Sequence, residues 1–138
     1  MQAGHRLKVL NNAIAEDQIE WMRILHRHGR SVPHWPIEFG GLGWTPQQLF
    51  VFEEELYKAD APEFSWGGTH MLGPVLYNFG SPYLRDKFLP AIREGHYLWA
   101  QGFSEPGSGS DLASLRTHAE RRDDTYVVNG QKIWTSGA

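Results

Sequence analysis

The sequence contains no cysteine. That absence excludes a disulfide framework, a thiol nucleophile and a thiolate-bound metal, and it is compatible with a reducing compartment. An excess of one charge is missing too: 13 Lys and Arg stand against 16 Asp and Glu, for a formal net charge of -3. A nucleic-acid surface would need clustered Lys and Arg, so no nucleic-acid partner is expected. The basic pair Arg121-Arg122 runs at once into Asp123-Asp124, which reads as a solvated turn. No stretch approaches the ~20 apolar residues that a membrane-spanning helix needs. Met1 to Leu10 carry no long apolar run, which argues against a secretory signal. The expectation is a cytoplasmic protein with no membrane partner. Seven histidines are present, but His26 and His28 diverge on a helix and the others are scattered. No His-x-x-x-His pattern or carboxylate partner spacing occurs, so no metal is expected.

What is present falls into two halves of different periodicity. Up to about Glu94 the pattern is helical. Leu7, Leu10, Ile14, Ile19, Met22 and Leu25 recur near the helical period and predict a helix from Arg6 to about His28, stopped by Gly29. The run from Ser31 to Gly43 holds two prolines and three glycines and is a loop; Trp35 and Trp44 suggest that it packs against something. Thr45-Pro46-Gln47-Gln48 predicts a helix start, with Thr45 as cap, Pro46 in the first turn and Gln48 at the capping-box position. Leu49, Phe52 and Leu56 share one face of it, with Glu53, Glu54 and Glu55 adjoining. A third helix, Pro62 to about Phe79, is weakened and bent by Gly67, Gly68, Gly73 and Pro74. Ser81-Pro82 opens a fourth, which Gly95 stops.

After Tyr97 the chain reads as strands: Tyr97 to Phe103, then Ser114 to Glu120. Tyr126 to Val128 and Gln131 to Ile133 flank Asn129-Gly130, a type I′ hairpin signal. The fold class is therefore α+β: an α-helical part of about four helices over residues 1–95, then the first strands of an antiparallel β-domain over residues 96–138. So few strands would leave open sheet edges, as if the sequence were cut inside a domain or had to pair with another chain.

Between the first two predicted strands lies Ser104-Glu105-Pro106-Gly107-Ser108-Gly109-Ser110-Asp111. Taken alone, it is a connecting loop of the usual turn residues, or a concavity of backbone N–H groups that could take an anion. Together with its flanks, from Gln101-Gly102-Phe103 at one end to Asn129-Gly130-Gln131-Lys132-Ile133-Trp134-Thr135-Ser136 at the other, it closely resembles the acyl-CoA dehydrogenase family. Pro36 to Gly43, Glu54 to Leu56, Gly80, Leu89-Pro90 and Gly95 agree in the family's order. The resemblance covers about residues 33–138.

That resemblance implies an FAD-dependent α,β-dehydrogenation of an acyl-CoA thioester. In such a reaction a carboxylate base takes the α-proton and a hydride leaves the β-carbon for the flavin. It places Gln101, Gly102, Phe103, Ser104, Gly109, Ser110, Trp134, Thr135 and Ser136 at the cofactor, with Ser110 also reaching the CoA part of the substrate. It implies no catalytic residue in this chain, because the family's Glu base lies further along; Glu105 is structural by analogy. It implies electron-transfer flavoprotein as the acceptor and a homo- or hetero-oligomer. Ser108 stands where alanine is usual. Gly67 and Gly68 lie where the acyl pocket is lined, either leaving room for ring-bearing or branched acyl groups or allowing close helix packing. Two rival functions share this sequence pattern: a non-catalytic binding or assembly subunit, and a flavin monooxygenase.

Overall fold

A computed structural model describes residues 16–62 and 66–135. The chain divides into two compact units, Met1–Trp99 and Ala100–Ala138.

The first unit is helical. Helix α1 covers 16–27 among the described residues; the predicted start of this helix at Arg6 lies outside them. Met22 and Leu25 bury its inner face, and Gly29 ends it at φ 67, a left-handed value that glycine adopts without penalty. The loop that follows does pack. Val32 and Trp35 are buried and join Leu76, Leu89 and Ile92 in the core, with Phe39, Leu72, Tyr77, Phe88 and Trp99 against them. The Trp35 indole Nε1 donates to the Thr69 carbonyl at 2.7 Å, so its polar end is satisfied inside the core.

Helix α2, Pro46–Lys58, begins with the predicted capping box. The Gln48 amide donates to Thr45 Oγ1 at 3.3 Å, and the Thr45 amide donates to Gln48 Oε1 at 2.9 Å. Helix α4, Pro82–Arg93, has Ser81 as its cap and buries Leu89, Ala91 and Ile92. The third helix departs from the simple expectation of a bend. Among the described residues it runs as a π-helix over Gly67–Leu72 and then as α3, Gly73–Phe79, while 63–65, near its predicted start, lie outside them. The Gly73 amide accordingly bonds to Gly68 O, five residues back. A π-segment displaces one carbonyl from the regular ladder; here the Thr69 carbonyl receives Trp35 Nε1 and faces His34 Nε2 at 3.1 Å.

The second unit has one antiparallel hairpin, β1 His118–Arg122 with β2 Thr125–Asn129. Among the described residues, four helices followed by two antiparallel strands make the fold class α+β, as expected, but three local expectations are corrected. Among the described residues, Tyr97 to Phe103 is extended without a ladder partner rather than a strand. The first paired strand starts at His118 and not at Ser114, because Leu112–Ser114 is a 3-10 turn. The hairpin turns at Asp123-Asp124, where Asp123 has φ 52, and not at Asn129-Gly130. Asn129 is instead the last residue of β2, paired with His118. Gly130 is glycine for another reason: a Cβ there would fall 2.1 Å from Thr117 Oγ1. The solvated character expected of Arg121 to Asp124 holds, with all four residues exposed, but Arg121 and Arg122 end β1 and only Asp123-Asp124 form the turn.

Candidate functional site

The signature loop begins as a tight turn. The Glu105 amide donates to Ser108 O at 2.8 Å, and the Ser108 amide returns to Glu105 O at 3.0 Å, leaving Pro106 and Gly107 at the exposed corner. Ser108 is buried, and its Oγ donates to Asp111 O at 2.6 Å; Ser114 Oγ donates to the same carbonyl at 2.9 Å. A serine at position 108 therefore fits and adds a bond that an alanine would lack.

Glu105 has an exposure of only 6 %, and a buried carboxylate must be fully partnered. Its Oε2 accepts from the Arg116 amide at 2.7 Å, and its Oε1 accepts from the Thr117 amide at 2.9 Å and from Lys132 Nζ at 2.9 Å. Thr117, the Arg116 amide and the Lys132 ammonium hold its carboxyl down to about 2. The structural role expected of Glu105 is thus visible as a three-way clamp. An open cavity of about 440 Å³ lies beside it, lined by Glu105, Pro106, Gly107, Ser114, Arg116, Gly130 and Gln131.

The same clamp ties the two stretches singled out in the sequence. Lys132 Nζ also donates to Phe103 O at 2.9 Å, and the Ile133 amide donates to Ser104 O at 2.9 Å. Gly102 faces the Lys132 stem, where a Cβ would meet Cγ at 3.3 Å. The segment 101–105 therefore lies alongside 131–135. On this scaffold Phe103 is 60 % exposed and Trp134 is 85 % exposed. Trp134 holds φ 55, a left-handed conformation that costs a bulky residue of order 1–3 kcal/mol and is concentrated at functional sites. Among the described residues, no hydrogen bond reaches the N–H groups of Gly102, Phe103 or Ser104. Gln101, Ser104 and Thr135 are half-buried, while Gly109 and Ser110 are exposed in the loop, with open space around Gly109. Ser136 lies outside the described residues. The sequence reading missed Lys132 as an organising residue; the signal was a lone cation between Gly130 and the aromatic Trp134.

Gly67 and Gly68 belong to the other unit, and their surroundings bear on the two readings given them, acyl room or close packing. A Cβ on Gly67 would sit 2.2 Å from the Trp99 carbonyl oxygen, and one on Gly68 would sit 2.6 Å from Trp99 Cδ1 and 3.2 Å from Ile92. Trp99 thus packs directly against both glycines. Beside this packing, His70 stacks on His34 at 4.1 Å and on Trp66 at 4.0 Å. Desolvation, then the electrostatic influence of His34, push His70 down to about 4, and desolvation lowers His34 as well. Among the described residues no group of His, Asp and Glu could hold a metal ion, and no helix is long and apolar enough to cross a membrane.

Comparison with known proteins agrees with this arrangement. Residues 6–96 match the acyl-CoA dehydrogenase N-terminal domain and residues 100–138 match the acyl-CoA dehydrogenase middle domain. Acyl-CoA dehydrogenase IpdE1 of Mycobacterium tuberculosis is 46% identical over 122 residues, covering 88% of this chain and 32% of that protein. Among solved structures, the steroid ACAD Tcur3481-Tcur3483 superposes with a TM-score of 0.78 at 38% identity, over 88% of this chain and 32% of that one. The ChsE4-ChsE5 complex from Mycobacterium tuberculosis gives a TM-score of 0.75 at 39% identity, over 86% and 30%. The chain thus spans about a third of the length of the relatives it matches. With both domain matches in sequence order and the signature loop folded beside its partner segment, the chain belongs to the acyl-CoA dehydrogenase family.

Proposed function

We propose that this chain is the front part of an FAD-dependent acyl-CoA dehydrogenase, with 1–95 on the acyl side and 96–138 carrying the first flavin contacts. The observation that carries this reading is the joining of 101–105 to 131–135 through Ile133, Ser104 and Lys132. On the joined segments Phe103 and Trp134 are exposed, and among the described residues the N–H groups of Gly102, Phe103 and Ser104 are unengaged. That combination suits a planar, hydrogen-bonding ring system, and the open space around Gly107 and Gly109 admits close approach. Gln101 to Ser104, Gly109, Ser110 and Trp134 to Ser136 would hold FAD, which when bound supplies the two-electron acceptor for the substrate hydride. The chain's own contribution is to orient that acceptor and exclude water from it. By the family resemblance the proton-abstracting carboxylate lies further along than these residues, and Glu105 is engaged in the clamp.

The substrate proposed is an acyl-CoA whose acyl group is carried on a steroid-derived ring system. Its support is the likeness to a steroid ACAD, not Gly67 and Gly68. A second kind of chain in the assembly is proposed on the same footing, from the ChsE4-ChsE5 complex. Electron-transfer flavoprotein as acceptor and a cytoplasmic location complete the reading.

The test uses the full-length protein, co-purified with any partner chain. Bound flavin absorbance that bleaches on addition of a steroid side-chain CoA thioester is the expected result, with Trp134→Ala lowering flavin content or the bleaching rate at least tenfold. Colourless protein that only pairs with another chain would overturn this reading in favour of an assembly subunit. Flavin that bleaches only with a nicotinamide reductant and consumes oxygen would favour a monooxygenase.

A further inference from the structure

Lys132 holds an unusual position for a cation. Its side chain is only 27% exposed, and its Nζ divides its bonds between Glu105 Oε1 and the Phe103 carbonyl, both at 2.9 Å. The carboxylate alone would satisfy the charge; the bond to Phe103 O is an additional constraint, and it acts on a peptide unit. In a trans peptide the C=O and the following N–H point in opposite directions. Fixing Phe103 O onto Lys132 therefore turns the Ser104 N–H away from Lys132. The next peptide is fixed as well: Ser104 O accepts from Ile133, and the Glu105 amide is used by Ser108. The Ser104 N–H is thus left turned away from Lys132 and, like those of Gly102 and Phe103, without a partner among the described residues.

We propose that Lys132 is a positioning residue that aims the Ser104 N–H at the cofactor and thereby sets its electron affinity. This rests on the flavin reading above. Lys132 does not touch the reacting atoms; it acts through the Phe103–Ser104 peptide, with Glu105 as the anchor that keeps the ammonium in place. An amide donor stabilises the electron-rich reduced cofactor more than the oxidised one, so its loss lowers the reduction potential. Neutral replacement of Lys132 frees the peptide to rotate, and the donor is lost on average.

The experiment measures the reduction potential of flavin bound to the full-length protein, beside its thermal midpoint. For Lys132→Met, which keeps the stem and removes the donor, the expected change is a tenfold or greater loss in the preference for reduced over oxidised flavin. That is a potential lower by about 30 mV for a two-electron couple. Lys132→Arg, which can reach both acceptors, restores most of it. Should Lys132→Met hold no flavin, Lys132→Gln, which retains a weaker donor, replaces it and is expected to fall between wild type and that tenfold loss. A bound flavin whose potential matches wild type in every neutral variant, while the thermal midpoint drops, shows that the lysine is only a structural brace and overturns the proposal. Wild-type protein without flavin overturns the cofactor reading itself, and this inference with it; flavin present with an unmoved potential overturns this inference alone.

Discussion

A single methyl group is enough to separate the two explanations of Gly67 and Gly68. A Cβ on Gly67 would press on a backbone oxygen, Trp99 O, at 2.2 Å, and one on Gly68 on the Trp99 ring at 2.6 Å. A ring can tilt; a backbone carbonyl moves only with the chain. Overpacking of this kind costs about 1–3 kcal/mol, against the roughly 0.5–1 kcal/mol that alanine gains over glycine in a helix. Both Gly67→Ala and Gly68→Ala should therefore lower the thermal midpoint, Gly67→Ala more. Unchanged midpoints together with a narrowed acyl preference would return these glycines to the substrate pocket. Glu105 gives a second residue-scale prediction, with a definite sign. Its folded-state pKa, about 2, lies below the ordinary 4.5, so the unfolded chain takes up the proton first. The clamp's contribution is fully present above about pH 4.5 and is lost as pH falls from there towards 2. Glu105→Gln should be less stable than wild type at neutral pH, and that deficit should shrink across the same window. Denaturant midpoints measured from pH 6 downward would show it; a deficit independent of pH would mean that the carboxylate charge contributes nothing.

Among the elements, those specified by neighbours in sequence were readable and those specified by distant partners were not. The start of α2 is written within four residues, Thr45 to Gln48, and the capping box forms as read. Ser81-Pro82 opens α4 for the same local reason. The hairpin misled because Asn129-Gly130 is a strong turn signal taken alone, whereas Thr117 comes close enough to require a glycine opposite it. That contact spans 13 positions and leaves no mark on the local pattern. The true turn, at Asp123-Asp124, was legible as solvated charge but not as the pivot of strand pairing. Tyr97 to Phe103 has the composition of a strand, yet among the described residues its backbone has no ladder partner, and Phe103 O accepts from the Lys132 side chain instead. The π-segment was visible only as unease over four helix-breaking residues; what fixes it is Trp35 reaching the Thr69 carbonyl from 34 positions away. For the candidate site, the loop and its partner segment were found through their ordered motifs, while Lys132 was missed because a lysine in a short polar-apolar run looks like any solvent-facing cation.

At the scale of the molecule, apolar side chains remain uncovered on element after element. Phe50, Val51 and Tyr57 stay exposed on α2, which buries none of its residues. Val75 and Phe79 on α3, Tyr83 on α4, and Tyr126 and Val128 on β2 are exposed as well. The hairpin is almost entirely exposed on both faces, and a lone two-stranded ribbon is marginal in water. Burying large aromatics contributes roughly 25 cal/mol per Å² of apolar surface removed from water, so what these residues leave exposed is a substantial part of the stability available to a chain of this size. The chain covers about a third of its relatives' length, and on the function proposed above that surface is where the remainder of the protein packs. The expectation is that the 138-residue chain, expressed by itself, binds an apolar fluorescent dye strongly and unfolds over a broad temperature range. In the full-length protein the same dye should bind at least several-fold less, and the transition should sharpen. A monodisperse 138-residue chain that unfolds cooperatively without dye binding would show instead that the core around Trp35 and Ile92 suffices, and that the exposed aromatic positions are surface in the full protein as well.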